Sequence, residues 1–94
     1  MLEKTFEQDV DRMIKAVLNL KNNEECKSLF EDLLTIQELH SISQRLKVAT
    51  MLDSGMTCHN IAAETGASTA TISRVNKCLN YGTGGYKIIL DRIK

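Results

Sequence analysis

The chain has 94 residues, 12 basic and 12 acidic side chains, 43% hydrophobic and 4% aromatic residues, and no proline. A single domain over residues 1–94 fits this length, but so small a chain buries only about 60–65% of its unfolded surface, and association with a second copy would stabilise it considerably. Few aromatics and no proline favour long uninterrupted helices over strands, and no segment approaches the roughly 18 apolar residues of a membrane span. The acidic N-terminus is not a secretory signal. Cys26, Cys58 and Cys78 are odd in number and lack Cys-x-x-Cys spacing, which fits free thiols in a reducing, cytoplasmic compartment.

The first predicted helix opens at a capping box, Thr5-x-x-Gln8, and runs to about Leu20, with Phe6, Val10, Ile14, Val17 and Leu18 at helical spacing. Asn22-Asn23-Glu24-Glu25 caps a second helix whose inner face is Cys26, Leu29, Phe30 and Leu33. These two helices have few core partners in so short a chain. Folding back on the third helix would cover them; wrapping around a second subunit buries more apolar area, at roughly 25 cal/mol per Å². Thr35-x-x-Glu38 opens the third helix, which runs to about Asp53 and is closed by Ser54-Gly55. Ile36, Leu39, Ile42, Leu46, Val48, Ala49, Met51 and Leu52 occupy much of its circumference, so it is expected to be buried on most sides as the central strut.

Residues from about 57 to 78 read as a helix-turn-helix. Thr57 can accept a backbone N–H and start the fourth helix. Ile61 points inward, and Ala62 lies where two steeply crossing helices come close. Gly66 supplies the positive φ that lets the chain reverse, and Ser68 caps the fifth helix. Ile72 sits four residues later, spaced to pack on Ile61 and Ala62. Thr69, Ala70, Ser73, Arg74 and Lys77 then fall on the open side. Short polar side chains there let a helix approach base edges, while Arg74 and Lys77 can reach guanine or phosphate. A helical hairpin that serves only structure also needs a small residue, a glycine and a cap; the combined spacing through Ser73-Arg74 favours the DNA-reading unit.

After Tyr81-Gly82-Thr83-Gly84-Gly85, a sixth helix from about Tyr86 to Ile93 offers Ile89, Leu90 and Ile93 inward. The glycine-rich segment lacks the Gly-Lys-Ser/Thr ending of a nucleotide loop and follows no strand, so it reads as a joint. Charge is unevenly spread: residues 1–56 hold seven Lys/Arg and ten Asp/Glu, a balance of −3, and residues 57–94 hold five and two, a balance of +3. The basic excess accompanies the reading unit, the sign that phosphate contact needs.

The run Leu33-Leu34-Thr35, Gln44-Arg45-Leu46-Lys47-Val48, Gly55-Met56-Thr57 and Gly66 to Arg74 resembles the Trp repressor family. The segment Tyr81 to Tyr86 is similar to the Tyr-Gly-x-Gly-Gly-Tyr of its YerC/YecD-like branch. The resemblance spans residues from about 5 to 93. It implies an all-α, six-helix chain forming an intertwined two-fold dimer, and transcriptional regulation, as a repressor, through a palindromic operator in double-stranded DNA. By that resemblance His59, Ala62, Thr69, Ala70, Thr71 and Ser73 face DNA. With the capping residues Thr57 and Ser68, and with Arg74 and Lys77, they make up the candidate interface.

The family's corepressor is tryptophan, and the resemblance places Arg45 and Arg74 on either side of the indole, with Thr35 at a backbone-contact position. Two departures argue against tryptophan here. Val75 stands where the family pattern has glycine, and its branched side chain is expected to project toward the indole slot. Cys78 replaces a serine hydroxyl that helps fix the amino group. A pocket losing both room and a polar anchor should lose several kcal/mol of affinity. Thr35, Arg45, Arg74, Val75 and Cys78 therefore form a candidate pocket for an unidentified effector.

No cofactor, metal site or enzymatic activity is expected. Cys58 and His59 are adjacent and so point in different directions on a helix, with no further ligands at zinc spacing. Cys58 is expected to pack near the helix start and His59 to face solvent or phosphate. His40-Ser41 near Glu38 offers no base-and-orienter arrangement for nucleophilic catalysis. A second functional class stays open: a helical protein-interaction module whose hairpin is a docking surface. Selection from random duplexes separates it from a DNA reader.

Overall fold

A computed structural model describes residues 3–93, which hold six helices and no strand. They are α1 (Lys4–Leu18), α2 (Asn23–Leu33), α3 (Ile36–Asp53), α4 (Cys58–Thr65), α5 (Thr69–Tyr81) and α6 (Gly85–Arg92). The chain divides into two compact units, with the boundary after Ile36.

In the first unit, α1 starts earlier than the capping box at Thr5 predicts. Glu3 is the N-cap, and the Glu7 N–H donates to its carbonyl at 2.8 Å; no side chain caps the helix. Thr5 is thus already helical: once a helix exists, one more residue costs little, because each extension adds a backbone hydrogen bond. The helix also ends two residues before Leu20, where Asn19 turns its amide back onto the Lys15 carbonyl at 2.7 Å. α2 begins as its sequence predicts. Asn22 Oδ1 accepts the Glu25 N–H at 2.8 Å, and Glu25 Oε1 accepts the Lys21 N–H at 2.9 Å. Neither helix contains a buried residue. Leu33, read as part of the inner face of α2, is exposed, as are Phe6, Ile14 and Leu18 of the apolar positions of α1, Leu18 by 78%. Cys26, Leu29 and Phe30 are half-buried.

The second unit has a continuous core. Val48 and Ala49 of α3, Ile61 of α4, Ala67 in the turn, Ile72, Val75 and Leu79 of α5, and Leu90 of α6 are all buried together. The spacing Ile72, Val75, Leu79 turns one stripe of α5 inward, as a helix of period 3.6 requires. The expectation that α3 is buried on most sides fails from Ile36 to Leu46. Within the chain Ile36 is 88% exposed, and Ile42 and Leu46 are exposed too. The remaining elements of this unit cover only the C-terminal part of α3, where Met51 and Leu52 also pack on the core.

α3 stops in a Schellman motif: the Gly55 N–H donates to the Leu52 carbonyl at 3.0 Å and the Met56 N–H to the Met51 carbonyl at 3.1 Å. In α6, Leu90 is buried and Tyr86 packs on the core, whereas Ile89 and Ile93 are exposed, against the sequence reading. Tyr86 and Leu90 are four residues apart and share the inner stripe, so Ile89 and Ile93, also four apart, fall on the stripe beside it.

Candidate nucleic-acid interface

Local hydrogen bonds build the helix-turn-helix. Thr57 Oγ1 accepts the Asn60 N–H at 3.2 Å and starts α4. α4 ends at Gly66, whose φ of 71° is left-handed and whose N–H donates to the Ala62 carbonyl at 2.9 Å. A side chain at Gly66 would meet no neighbour, so the backbone conformation alone selects glycine there. Thr65 Oγ1 donates to the Ile61 carbonyl at 2.7 Å and accepts the Ala67 N–H at 3.1 Å, bridging the last turn of α4 to the connecting segment. Ser68 Oγ then accepts the Thr71 N–H at 3.1 Å and donates to Thr71 Oγ1 at 3.0 Å, opening α5.

Ile61 and Ile72 are fully buried and Ala62 is half-buried, so α4 and α5 cross over small and branched side chains. The opposite side of α5 is open: Thr69, Ala70, Ser73, Arg74 and Lys77 are exposed, and Thr71 is half-buried. Thr57, His59 and Ser68 are exposed beside them. Cys58, expected to pack, is exposed as well. As the first residue of α4 it lies a turn from Ile61, which takes the inner position. Between residues 57 and 81 the charged side chains are Glu64, Arg74 and Lys77. Lys94, counted in the basic excess, lies outside the described residues.

A recess of about 170 Å³ behind the open face is lined by Arg45, Thr71, Arg74, Val75, Cys78 and Tyr86. It brings together four of the five residues grouped by sequence as an effector pocket. Thr35 belongs to the first unit and does not line it. Val75 serves both the core and the recess wall, at 2% exposure, while Cys78 is exposed. Small-molecule sites usually occupy about 300–1,000 Å³, so this recess is small.

Sequence reasoning did not single out Gln44 as a contact. Its amide Nε2 reaches from α3 to the Thr65 carbonyl at 3.2 Å, tying the strut to the turn. A glutamine in a helix carries no sign of such a tertiary bond, since its partner is 21 residues away.

A family model of the Trp repressor protein matches residues 8–94. The chain belongs to the Trp repressor family. It is 52% identical over 93 residues to the uncharacterized protein YerC of Bacillus subtilis (strain 168), covering 99% of this chain and 89% of YerC. Crystal structures agree with the fold. A proposed Trp repressor from Staphylococcus aureus superposes with a TM-score of 0.87 at 49% identity, over 92% of this chain and 86% of that one. A TrpR-like protein from Eubacterium eligens ATCC 27750 gives 0.87 at 50% identity, over 92% and 89%. This Trp repressor family member is therefore YerC-like, and its family is one of helical DNA-binding regulators rather than enzymes. Among the described residues no helix is long and apolar enough to cross a membrane.

Proposed function

We propose that this chain is a sequence-specific transcriptional regulator, a repressor, that binds a palindromic operator as a homodimer through α5 and does not respond to tryptophan. The observation that carries the reading is the division of α5 into two faces. Ile72, Val75 and Leu79 anchor it to the core, and the other side presents Thr69, Ala70, Ser73, Arg74 and Lys77 to solvent. Short hydroxyl and methyl groups flanked by two cations suit close approach to base edges with phosphate anchoring.

Selection of random duplexes by the purified chain, followed by sequencing, tests the reading. A symmetric consensus whose affinity falls with rising salt is expected; enrichment of nothing above background would instead favour a protein-docking hairpin. Arg74→Ala should weaken binding by about 1–3 kcal/mol and relax preference at one position of the site. Lys77→Ala should weaken all sequences evenly and lower the salt slope by about one. Repression is checked with a reporter whose promoter carries the selected site.

The dimer is supported by the apolar side chains left exposed within one chain, among them Phe6, Ile14, Leu18, Ile36 and Ile42. Two copies related by a two-fold axis can offer their α5 helices to half-sites about one DNA turn apart. Insensitivity to tryptophan rests on the small recess, with Val75 in its wall and a thiol at Cys78. Calorimetry with tryptophan should detect no binding tighter than about 1 mM, a free energy of roughly −4 kcal/mol. A micromolar dissociation constant would reverse this part of the reading.

A further inference from the structure

We propose that Gln44 is a positioning residue for DNA selection: by holding the Thr65 carbonyl, its amide sets the angle at which α5 leaves the turn. The inference rests on the DNA-reading role given to α5 above. Three backbone groups define the turn. The Gly66 N–H is held by the Ala62 carbonyl, and the Ala67 N–H by Thr65 Oγ1, both within residues 62–67. These bonds shape the turn without reaching α3; Ala67 packs its methyl group in the core, a contact that is not directional. The Thr65 carbonyl, one of the last four of α4 and so without a partner in its own helix, is held from α3 by Gln44 at 3.2 Å.

The bond lies beside an open polar recess of about 250 Å³ lined by His40, Ser43, Gln44, Lys47, Glu64 and Thr65. Water can enter there and satisfy the Thr65 carbonyl if the amide is removed. Loss of Gln44 therefore costs the tether to α3 rather than leaving a stranded buried carbonyl. The consequence is a looser angle. With α5 pivoting at Ser68, a tilt of about 10° moves Ser73 by about 1 Å and Lys77 by about 2 Å, from the 1.5 Å rise per residue. Long cationic side chains can absorb such a shift and keep their phosphates. Thr69, next to the pivot, moves by only about 0.3 Å, but Ser73 is too short to absorb its shift, and hydrogen bonds to bases tolerate only a few tenths of an ångström. Selectivity should fall while non-specific affinity holds.

The test uses the full chain, a duplex selected by the wild type, and the same duplex scrambled. Gln44→Met keeps length and bulk without a donor. It should bind the selected duplex about three- to tenfold more weakly and the scrambled duplex within about twofold, with the melting temperature little changed. Gln44→Lys returns a donor on a long stem and should recover much of the ratio between the two duplexes. An unchanged ratio in Gln44→Met, or an equal fall on both duplexes, overturns the role of Gln44 and leaves the reading helix standing. A wild type with no preference for any duplex overturns the DNA reading itself, and this inference with it.

Discussion

Ile14→Asp combined with Leu18→Asp is expected to convert the proposed dimer of 10.5 kDa chains to a monomer and to weaken binding to the selected duplex by about 100-fold or more. Both side chains sit on α1 and leave much of their surface exposed within one chain, Ile14 at 47% and Leu18 at 78%. An aspartate at these positions costs a chain that leaves it in water little, more at half-covered Ile14 than at Leu18. In an apolar interface it places a desolvated charge, which is strongly unfavourable. The affinity follows because linked half-sites turn the second contact into an intramolecular event. Light scattering at micromolar concentration reads the assembly, and fluorescence anisotropy reads the duplex. Circular dichroism should show most of the helical content retained, since neither residue belongs to the core of α3 to α6. A double variant that still scatters as a dimer would remove α1 from the interface, and an unaltered operator affinity would remove the need for two copies.

The second large effect is on stability. Ile72→Ala should lower the unfolding free energy by about 2–5 kcal/mol, a large part of the 5–15 kcal/mol typical of a domain. Ile72 is fully buried among Val48, Ile61, Val75 and Leu79, and it joins α5 to the helices behind it. Removing its outer carbons loses their transfer energy and leaves a cavity between elements that small residues already hold close. Urea unfolding measures the loss, with Lys77→Ala as an exposed reference expected to change stability by less than about 0.5 kcal/mol. A cost below 1 kcal/mol at Ile72 would mean that the core readily collapses around the gap. DNA affinity of Ile72→Ala should fall with the folded fraction, whereas Arg74→Ala should lose affinity with the fold intact.

Much of the helix order was legible because its signals are local. Asn22, Thr57 and Ser68 are short polar residues that bond to a backbone N–H three positions ahead, so each cap is contained in four consecutive residues. Gly66 announces a left-handed turn for the same reason. Thr5 carried a similar pattern and was overruled, because extending an existing helix by a residue competes easily with one side-chain bond. Errors of burial have another origin. Ile36, Ile42, Leu46, Ile89 and Ile93 are apolar, and hydrophobicity says that a residue prefers cover without saying whether its own chain supplies any. Cys58 is the reverse case of an apolar-leaning side chain: it shares a face with Ile61, but as the first residue of α4 it is left exposed at the helix end.

The sequence by itself determined the helical class, the order of the helices, the two caps and the glycine of the hairpin, and the membership of one face of α5, all of which depend on neighbours within a turn or two. Only the tertiary structure decided which half of α3 is covered, that Val75 is shared between the core and the recess of Arg45 and Arg74, and that Gln44 grips the turn from 21 residues away. Those outcomes depend on the distance between segments remote in the chain. A glutamine or a valine has the same local preferences whether or not such a partner arrives.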